Sequence, residues 1–416
     1  MYRYLDIRSY LHKVGFAFRA LENRNFRLFF FGGIVSLMGI WIQNIAIGWL
    51  VYRLTGSAFY LGLVGFAGQI PALLLTPIAG VFADRSNRRR VLYVTQSIPM
   101  VLAFILAFLS FTGRIQVSLL ITIVVINGIA IAFDTPFRHA FLLDMLGDKK
   151  LIANAVALNS SLFNSARFIG PSLGGLLIAL FGEAVCFLIN GISFSGVIIA
   201  LLLMRVPKFV KPTNRKPIFR ELRDGMHYAW NFPPARHLIS LVIVMSLFGL
   251  PFQSFMPLYA GDILQGDSRL LGFLTGALGA GALSGAFFLA SRNTIVTIPI
   301  MIRNASLLFA VGLFSFSFST HTVISLILLV ATGFGMIVSF AGTNSLLQSI
   351  VAEDKRGRVL ALYSMSFLGF TPVGSLFLGL ISEQIGVPLT TMLASLVCLA
   401  AALFYARKAK SLTQMI

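Results

Sequence analysis

Acidic side chains are scarce in this sequence: 14 Asp and Glu stand against 33 Lys and Arg in 416 residues, and charges of both signs make up only 11%. Ordinary globular domains carry about 25%, so a water-facing soluble fold is excluded. Cysteine is nearly missing. Cys186 and Cys398 sit alone in different apolar stretches, which leaves no disulfide framework and no thiolate metal site; both read as small buried residues. The five His (12, 139, 227, 237 and 321) all fall in loops or termini, so no base or metal ligand of that type lies within an apolar run. No G-x-x-x-x-G-K-S/T loop exists to cradle ATP. The run Gly191-Ile-Ser193-Phe-Ser195-Gly196 does not match a nucleophile elbow. An enzyme and an ATP-driven pump are disfavoured, and neither cofactor nor metal is expected.

What the chain has is apolar length. A helix needs about 20 apolar residues to cross the hydrocarbon core, and twelve such runs appear, near 28–52, 58–82, 91–112, 116–137, 153–180, 184–204, 237–260, 270–291, 296–317, 322–348, 359–382 and 387–406. They are too continuous for the alternation of a barrel strand, and backbone in lipid must satisfy itself, so the fold class is an all-α polytopic membrane protein. Of the 33 cations, 29 fall on one set of alternate connections, which the preference of basic loops for the cytoplasm makes the inner set. Both termini are then expected in the cytoplasm. The same spread over seven short segments disfavours nucleic acid as a partner. The organisation expected is a cytoplasmic amphipathic segment at 1–27, a six-helix lobe at 28–204, a linker at 205–236 with a short surface helix from Phe219 to Trp230, a second lobe at 237–406 and a tail at 407–416. Residues 1–27 scatter basic side chains among apolar ones and carry no signal peptide pattern.

The two sets of six runs are related. A shift of 204 places Leu142, Leu143, Ala157, Leu158, Ser160, Phe163, Gly170, Gly175 and Gly182 on Leu346, Leu347, Ala361, Leu362, Ser364, Phe367, Gly374, Gly379 and Gly386. A shift of 210 places Ser36, Gly39, Gln43, Leu61 and Gly62 on Ser246, Gly249, Gln253, Leu271 and Gly272. Coincident Gly, Ser and Gln at steady offsets point to an internal duplication, a feature common in transporters.

Between the second and third runs stands Gly80-Val-Phe-Ala-Asp84-Arg85-Ser-Asn-Arg88-Arg89-Arg90. This resembles the signature loop of the major facilitator superfamily, and with the twelve runs and the duplication the resemblance covers essentially the whole chain. It implies two pseudo-symmetric six-helix lobes that rock about a central site. It also implies a gating role for Gly80, Asp84, Arg85, Arg88 and Arg89, with Gly80 allowing close helix contact and Asp84 facing the start of helix 11 near Arg358 and Val359. Arg88 is expected to meet a carboxylate on helix 4, for which Asp134 is suitably placed. Asn87 replaces the family's usual glycine, a change that a left-handed backbone would tolerate. On the fifth run, Arg167-Phe-Ile-Gly170-Pro171-Ser-Leu-Gly174-Gly175 resembles the antiporter motif of exporters in this superfamily, with Ala166 at the pattern's earlier glycine. Together with Asn25-Phe-Arg27 and the stretch from Asn154 to Asn164, the chain is similar to the exporter branch that contains the enterobactin exporter and drug efflux proteins.

Ionisable groups at membrane depth are costly, which singles out Arg167. Ser160, Asn164, Arg167 and Pro171 recur at helical spacing, so they share a face and become candidate cavity residues. Arg167 either offers its guanidinium to an anionic or oxygen-rich substrate or serves structurally, bonded to a neighbouring helix. Ser36, Gly39 and Gln43, with Ser246, Gly249 and Gln253 in the second repeat, form two further stripes expected to line the cavity from opposite lobes. Asn44, Gln69, Asn127, Asn304, Asn344 and Gln348 are further polar groups within runs, explicable by bonding between helices. Helix 8 carries Gly272, Gly276, Gly281 and Gly285, expected as a packing and sliding surface. No Asp or Glu lies at mid-depth, so proton coupling falls either to Asp134 or to Arg167 with substrate charge. The expectation is a monomeric secondary transporter of the bacterial inner membrane that exports a small molecule, a siderophore first and a broad range of drugs second, with a channel or scaffold as the remaining alternative.

Overall fold

The structure, a computed structural model, describes residues 19–146, 151–205, 228–292 and 295–415; the side chains of Val81, Asp84 and residues 410–415 lie outside that description. The expected amphipathic segment up to residue 18, and residues 206–227 of the linker with most of its expected surface helix, fall outside it as well. Long helices follow one another: α1 Arg24–Thr55, α2 Ala58–Arg85, α3 Arg88–Phe111, α4 Val117–Leu146, α5 Ile152–Phe181, α6 Glu183–Leu203, α7 Pro233–Ile263, α8 Ser268–Ala290, α9 Ile298–Ser317, α10 Thr322–Ile350, α11 Glu353–Ile385 and α12 Val387–Met415. Among the described residues there is no strand.

By length and composition, eleven of these helices suit a membrane crossing. The twelfth, α5, is 30 residues long. Its first half carries Asn154, Asn159, Ser160, Ser161, Asn164, Ser165 and Arg167, which lowers its hydropathy below that of its neighbours. The chain is a multi-pass membrane protein.

Caps set the helix limits. Asn23 accepts from the backbone N–H of Asn25 at 2.9 Å and Phe26 at 3.1 Å, so α1 begins earlier than hydropathy suggests and takes in the Asn25-Phe-Arg27 segment. At its other end Gly56 closes the helix at φ 60°, a left-handed conformation that costs glycine little. In α7, the α-helix gives way at Met245 to a wider turn, then to a tighter one over Leu250–Phe255, then to a second wide turn at Tyr259–Ile263. Pro251 and Pro257, which lack the N–H that a regular helix needs, stand where regular α1 has Trp41 and Ile47.

Within the first lobe α1 packs on α6, α2 on α4 and α3 on α6; within the second α8 packs on α10, α9 on α10 and α9 on α12. Two helix pairs make the most extensive contacts between the lobes, α5 with α8 and α2 with α11. Both use glycines at positions equivalent in the duplication. A Cβ built on Gly175 would meet the Ser268 carbonyl and lie 2.8 Å from Gly272 Cα. One built on Gly62 would meet the Ser375 carbonyl and lie 3.3 Å from Gly379 Cα. Since Gly379 is the repeat of Gly175 and Gly272 the repeat of Gly62, these are one contact made twice. On α8 the small residues divide their work: Gly272 and Gly276 face α5 in the other lobe, while Gly281 and Gly285 lie against Val330 and Phe334 of α10 in their own.

Candidate substrate site and gates

Arg167 sits halfway along α5 and is half-buried. Its guanidinium carbon lies 5.9 Å from the ring centre of Trp41 on α1, within cation–π range. Phe163, one turn earlier on α5, meets the same indole edge-on at 6.0 Å between centroids. Among the described residues no carboxylate pairs with Arg167 and no hydrogen bond reaches its guanidinium. Its contact with a neighbouring helix is the Trp41 face. On the same face Ser160 is exposed and Asn164 half-buried, with the Asn164 amide donating to the Ser160 carbonyl at 2.9 Å. The position equivalent to Arg167 in the second repeat is Thr371, whose hydroxyl bonds back to Phe367, so the cation is one-sided.

The antiporter-like motif works by close approach. Gly170 and Gly174 lie against Trp41 and Ile42 of α1, and Gly175 against α8, all three buried. Pro171 has no N–H to give the Arg167 carbonyl, so that oxygen loses its helical donor. A Cβ on Gly279 of α8 would stand 3.2 Å from it.

The paired stripes of α1 and α7 do not line a cavity together, which corrects the sequence expectation. Gly39 faces Ser193 and Asn190 of α6, and Gln43 accepts from the Asn190 amide at 2.8 Å. Ser36 is buried at 2% exposure. In the second lobe Ser246 is fully buried, and Gly249 lies against Phe309 of α9 and Cys398 of α12. Polar groups in lipid gain as much from a neighbouring helix as from water, and these stripes are seams inside each lobe. The irregular winding of α7 separates Gln253 from its stripe; that residue is half-buried, with its amide 3.9 Å from the Met336 sulfur on α10.

At the end that carries the basic loops, Arg88 pairs with Asp144, not Asp134: its Nη1 lies 2.7 Å from the carboxylate, and its Nε donates to the Ala83 carbonyl at 3.1 Å. Asp144 is ten residues beyond Asp134 on α4, about 15 Å further along a helix, and that distance brings it level with the α2–α3 turn. Asp134 is already engaged. It accepts from Thr95 at 2.9 Å and Gln96 at 2.6 Å on α3, and pairs with Arg138 one turn on at 2.9 Å. Arg89 donates to the Leu202 carbonyl of α6 at 3.1 Å, and Arg85 is exposed. Asn87 is not left-handed: at φ −68° it caps α3, accepting from the Arg90 N–H at 3.2 Å. Gly80 makes no close contact either, since a Cβ there would meet nothing within 4 Å.

Among the described residues, several bonds between lobes lie at the opposite, far end. The Tyr52 hydroxyl donates to Asp262 at 2.6 Å, and Glu383 of α11 accepts from the Ser57 hydroxyl and, at 2.9 Å, from the Phe59 N–H at the start of α2. Ser268 donates to the Gly175 carbonyl at 3.2 Å. With Gly62 against α11 and Gly175 against α8 nearby, the lobes are held together at the far end. None of these latches, nor Trp41, Asn190 or Asp144, was singled out from sequence. The 210-residue offset between Tyr52 and Asp262 was the available signal for one of them.

A family described as transmembrane secretion effector, within the major facilitator superfamily, matches residues 16–414. The chain belongs to that family. It is a transporter of the efflux type and not an enzyme. It is 27% identical over 366 residues to the staphyloferrin A transporter of Staphylococcus aureus, covering 87% of this chain and 90% of that one. It is 24% identical over 379 residues to the multidrug efflux pump Tap of Mycolicibacterium fortuitum, covering 89% and 92%. Macrolide efflux protein A of Streptococcus pyogenes is 24% identical over 369 residues, covering 86% and 89%. In three dimensions it resembles a bacterial homologue of the human lysosomal transporter Spinster, with a TM-score of 0.73 at 12% identity, over 93% of this chain and 96% of that one. The nucleoside transporter NupG gives 0.67 at 14%, over 92% and 98%.

Proposed function

We propose that this protein exports an anionic siderophore from the bacterial cytoplasm across the inner membrane by alternating access, with Arg167 as the residue that receives the substrate's carboxylates. The observation that carries this reading is the guanidinium itself, halfway along a membrane helix, over the Trp41 face and without a carboxylate partner among the described residues. A charge at that depth is costly unless something pairs with it. A carboxylate-rich or catecholate chelator supplies the pairing, and guanidinium binds carboxylate in two-point fashion. The likeness to a staphyloferrin A transporter supports the same substrate class. The basic end is taken as cytoplasmic, which puts both termini there and the far end outside. The domain limits are those read from the sequence, and the working unit is one chain. Coupling to protons runs through Arg167 and substrate charge, since the Asp134 carboxylate is already engaged by two donors and a cation.

The second reading is broad drug efflux, favoured by the Trp41–Phe163 aromatic pair and by the likeness to Tap and to macrolide efflux protein A. A deletion strain grown with and without iron limitation separates the two, with chelator in the medium and drug susceptibility measured in parallel. Lower secreted chelator is expected. Unchanged chelator with raised drug sensitivity overturns the first reading. Arg167→Gln at normal membrane levels should abolish chelator export, and undiminished export would remove Arg167 from the site.

A further inference from the structure

The membrane-facing side of α3 carries two apolar grooves that the transport reading does not use. One, about 380 Å³, runs between α3 and α4 and is lined by Arg90, Val94, Thr95, Ile98, Ile129 and Phe133 among others. The second, also about 380 Å³, lies on the other side of the same ridge, along Tyr93, Val94, Ser97, Ile98, Val101 and Leu102. Val94 and Ile98 border both. From Arg90 to Ile98 the first groove is about 12 Å long at helical rise, which accommodates the upper half of an acyl chain.

The polar groups near the mouth are only partly engaged. Arg90 is exposed, and among the described residues nothing hydrogen-bonds or pairs with its guanidinium. Among the described residues the Tyr93 hydroxyl and Arg89 Nε are buried without partners, while Arg89 Nη2 donates to the Leu202 carbonyl. Three consecutive cations, Arg88 to Arg90, also occupy the first turn of α3, the positive end of the helix dipole, where basic side chains are electrostatically misplaced and an anion is favoured. Arg88 is compensated by Asp144 and Arg90 by nothing among the described residues.

We infer that α3 is straddled by one anionic diacyl phospholipid, its phosphate on Arg90 at the basic end and its two chains in the grooves on either side of the Val94 ridge. Two shallow apolar furrows flanking one ridge, below an exposed cation with no carboxylate partner among the described residues, match a two-tailed anionic lipid. A zwitterionic headgroup would gain less, because its own amine offsets the phosphate. The floor of the first groove is Thr95, whose hydroxyl holds Asp134, so the bound chain lies directly on the α3–α4 polar seam.

The test uses purified, delipidated full-length protein in detergent, titrated with phosphatidylglycerol or phosphatidylethanolamine of identical chains and read by native mass spectrometry. Wild type should retain the anionic lipid about fivefold more strongly, the factor that one basic residue near an anionic surface supplies. Arg90→Gln should abolish that preference. Val94→Trp should lower binding of both lipids by blocking the grooves. Both positions are exposed, and circular dichroism checks that the helices persist. Equal retention of the two lipids by wild type, an unchanged preference in Arg90→Gln, or undiminished binding in Val94→Trp would each overturn the assignment.

Discussion

Tyr52 and Asp262 occupy equivalent positions in the two repeats, 210 residues apart, and they bond to each other across the lobe boundary, hydroxyl to carboxylate at 2.6 Å. Two residues related by a two-fold can touch only where its axis passes between them. The pair therefore marks the pseudo-symmetry axis at the far end, where Gly261 lets the Tyr52 hydroxyl approach α7. Tyr52→Phe removes a hydrogen bond to a charged group, worth about 1 kcal/mol once exposure is discounted. The fraction of molecules open at the far end should rise about fivefold, measured by distances between spin labels on α1 and α7. Combined with Asp262→Asn, the double variant should be no more open than either single one; additive effects would show that the two side chains act separately.

Both lobe-joining glycine contacts should respond alike to a wedge. Gly175→Leu and Gly62→Leu each insert a side chain where backbone now touches backbone, and overpacking of this kind costs about 1–3 kcal/mol. Each variant should stay folded but accumulate open at the far end, with cysteine pairs spanning α5–α8 or α2–α11 there no longer cross-linking. If one wedge acts and the other is silent, the two seams are not equivalent.

The ion pair at the basic end yields a sharp contrast. Asp144→Asn takes the partner from a mostly buried Arg88 and should lower the thermal unfolding temperature, at a cost of about 1–3 kcal/mol. Asp134→Asn leaves the Arg88 pair intact, and transport should still respond to an imposed pH gradient in vesicles. Loss of that response with normal insertion would return Asp134 to the coupling step.

Asn87 caps α3 from extended backbone, so restoring the family's glycine brings no gain. Asn87→Gly should cost a few tenths of a kcal/mol and Asn87→Ala about 1 kcal/mol, read from unfolding midpoints in detergent. A more stable glycine variant would contradict the cap.

The helices and the duplication were legible because hydropathy over twenty residues and repeated glycines are local or strictly periodic signals. Arg167 was legible because a cation in an apolar run is rare. Its aromatic partner was not: Trp41 lies on another helix, and nothing in its own neighbourhood marks it. Periodicity assigned Ser36, Gly39 and Gln43 to one face correctly but could not say which neighbour that face meets, and α6 presents Asn190 and Ser193 to it. Asp134 and Asp144 look interchangeable in sequence. Only the level of the α2–α3 turn against α4 decides between them.

The proline after Arg167 gives that residue two attachments. Its side chain reaches toward Trp41 in its own lobe, while its carbonyl, released from the helix ladder, abuts Gly279 of the other. In the proposed transport cycle, substrate held by the guanidinium would pull on the lobe contact itself, and Arg167 would act as a crank, converting a displacement of cargo into a sliding of α5 against α8.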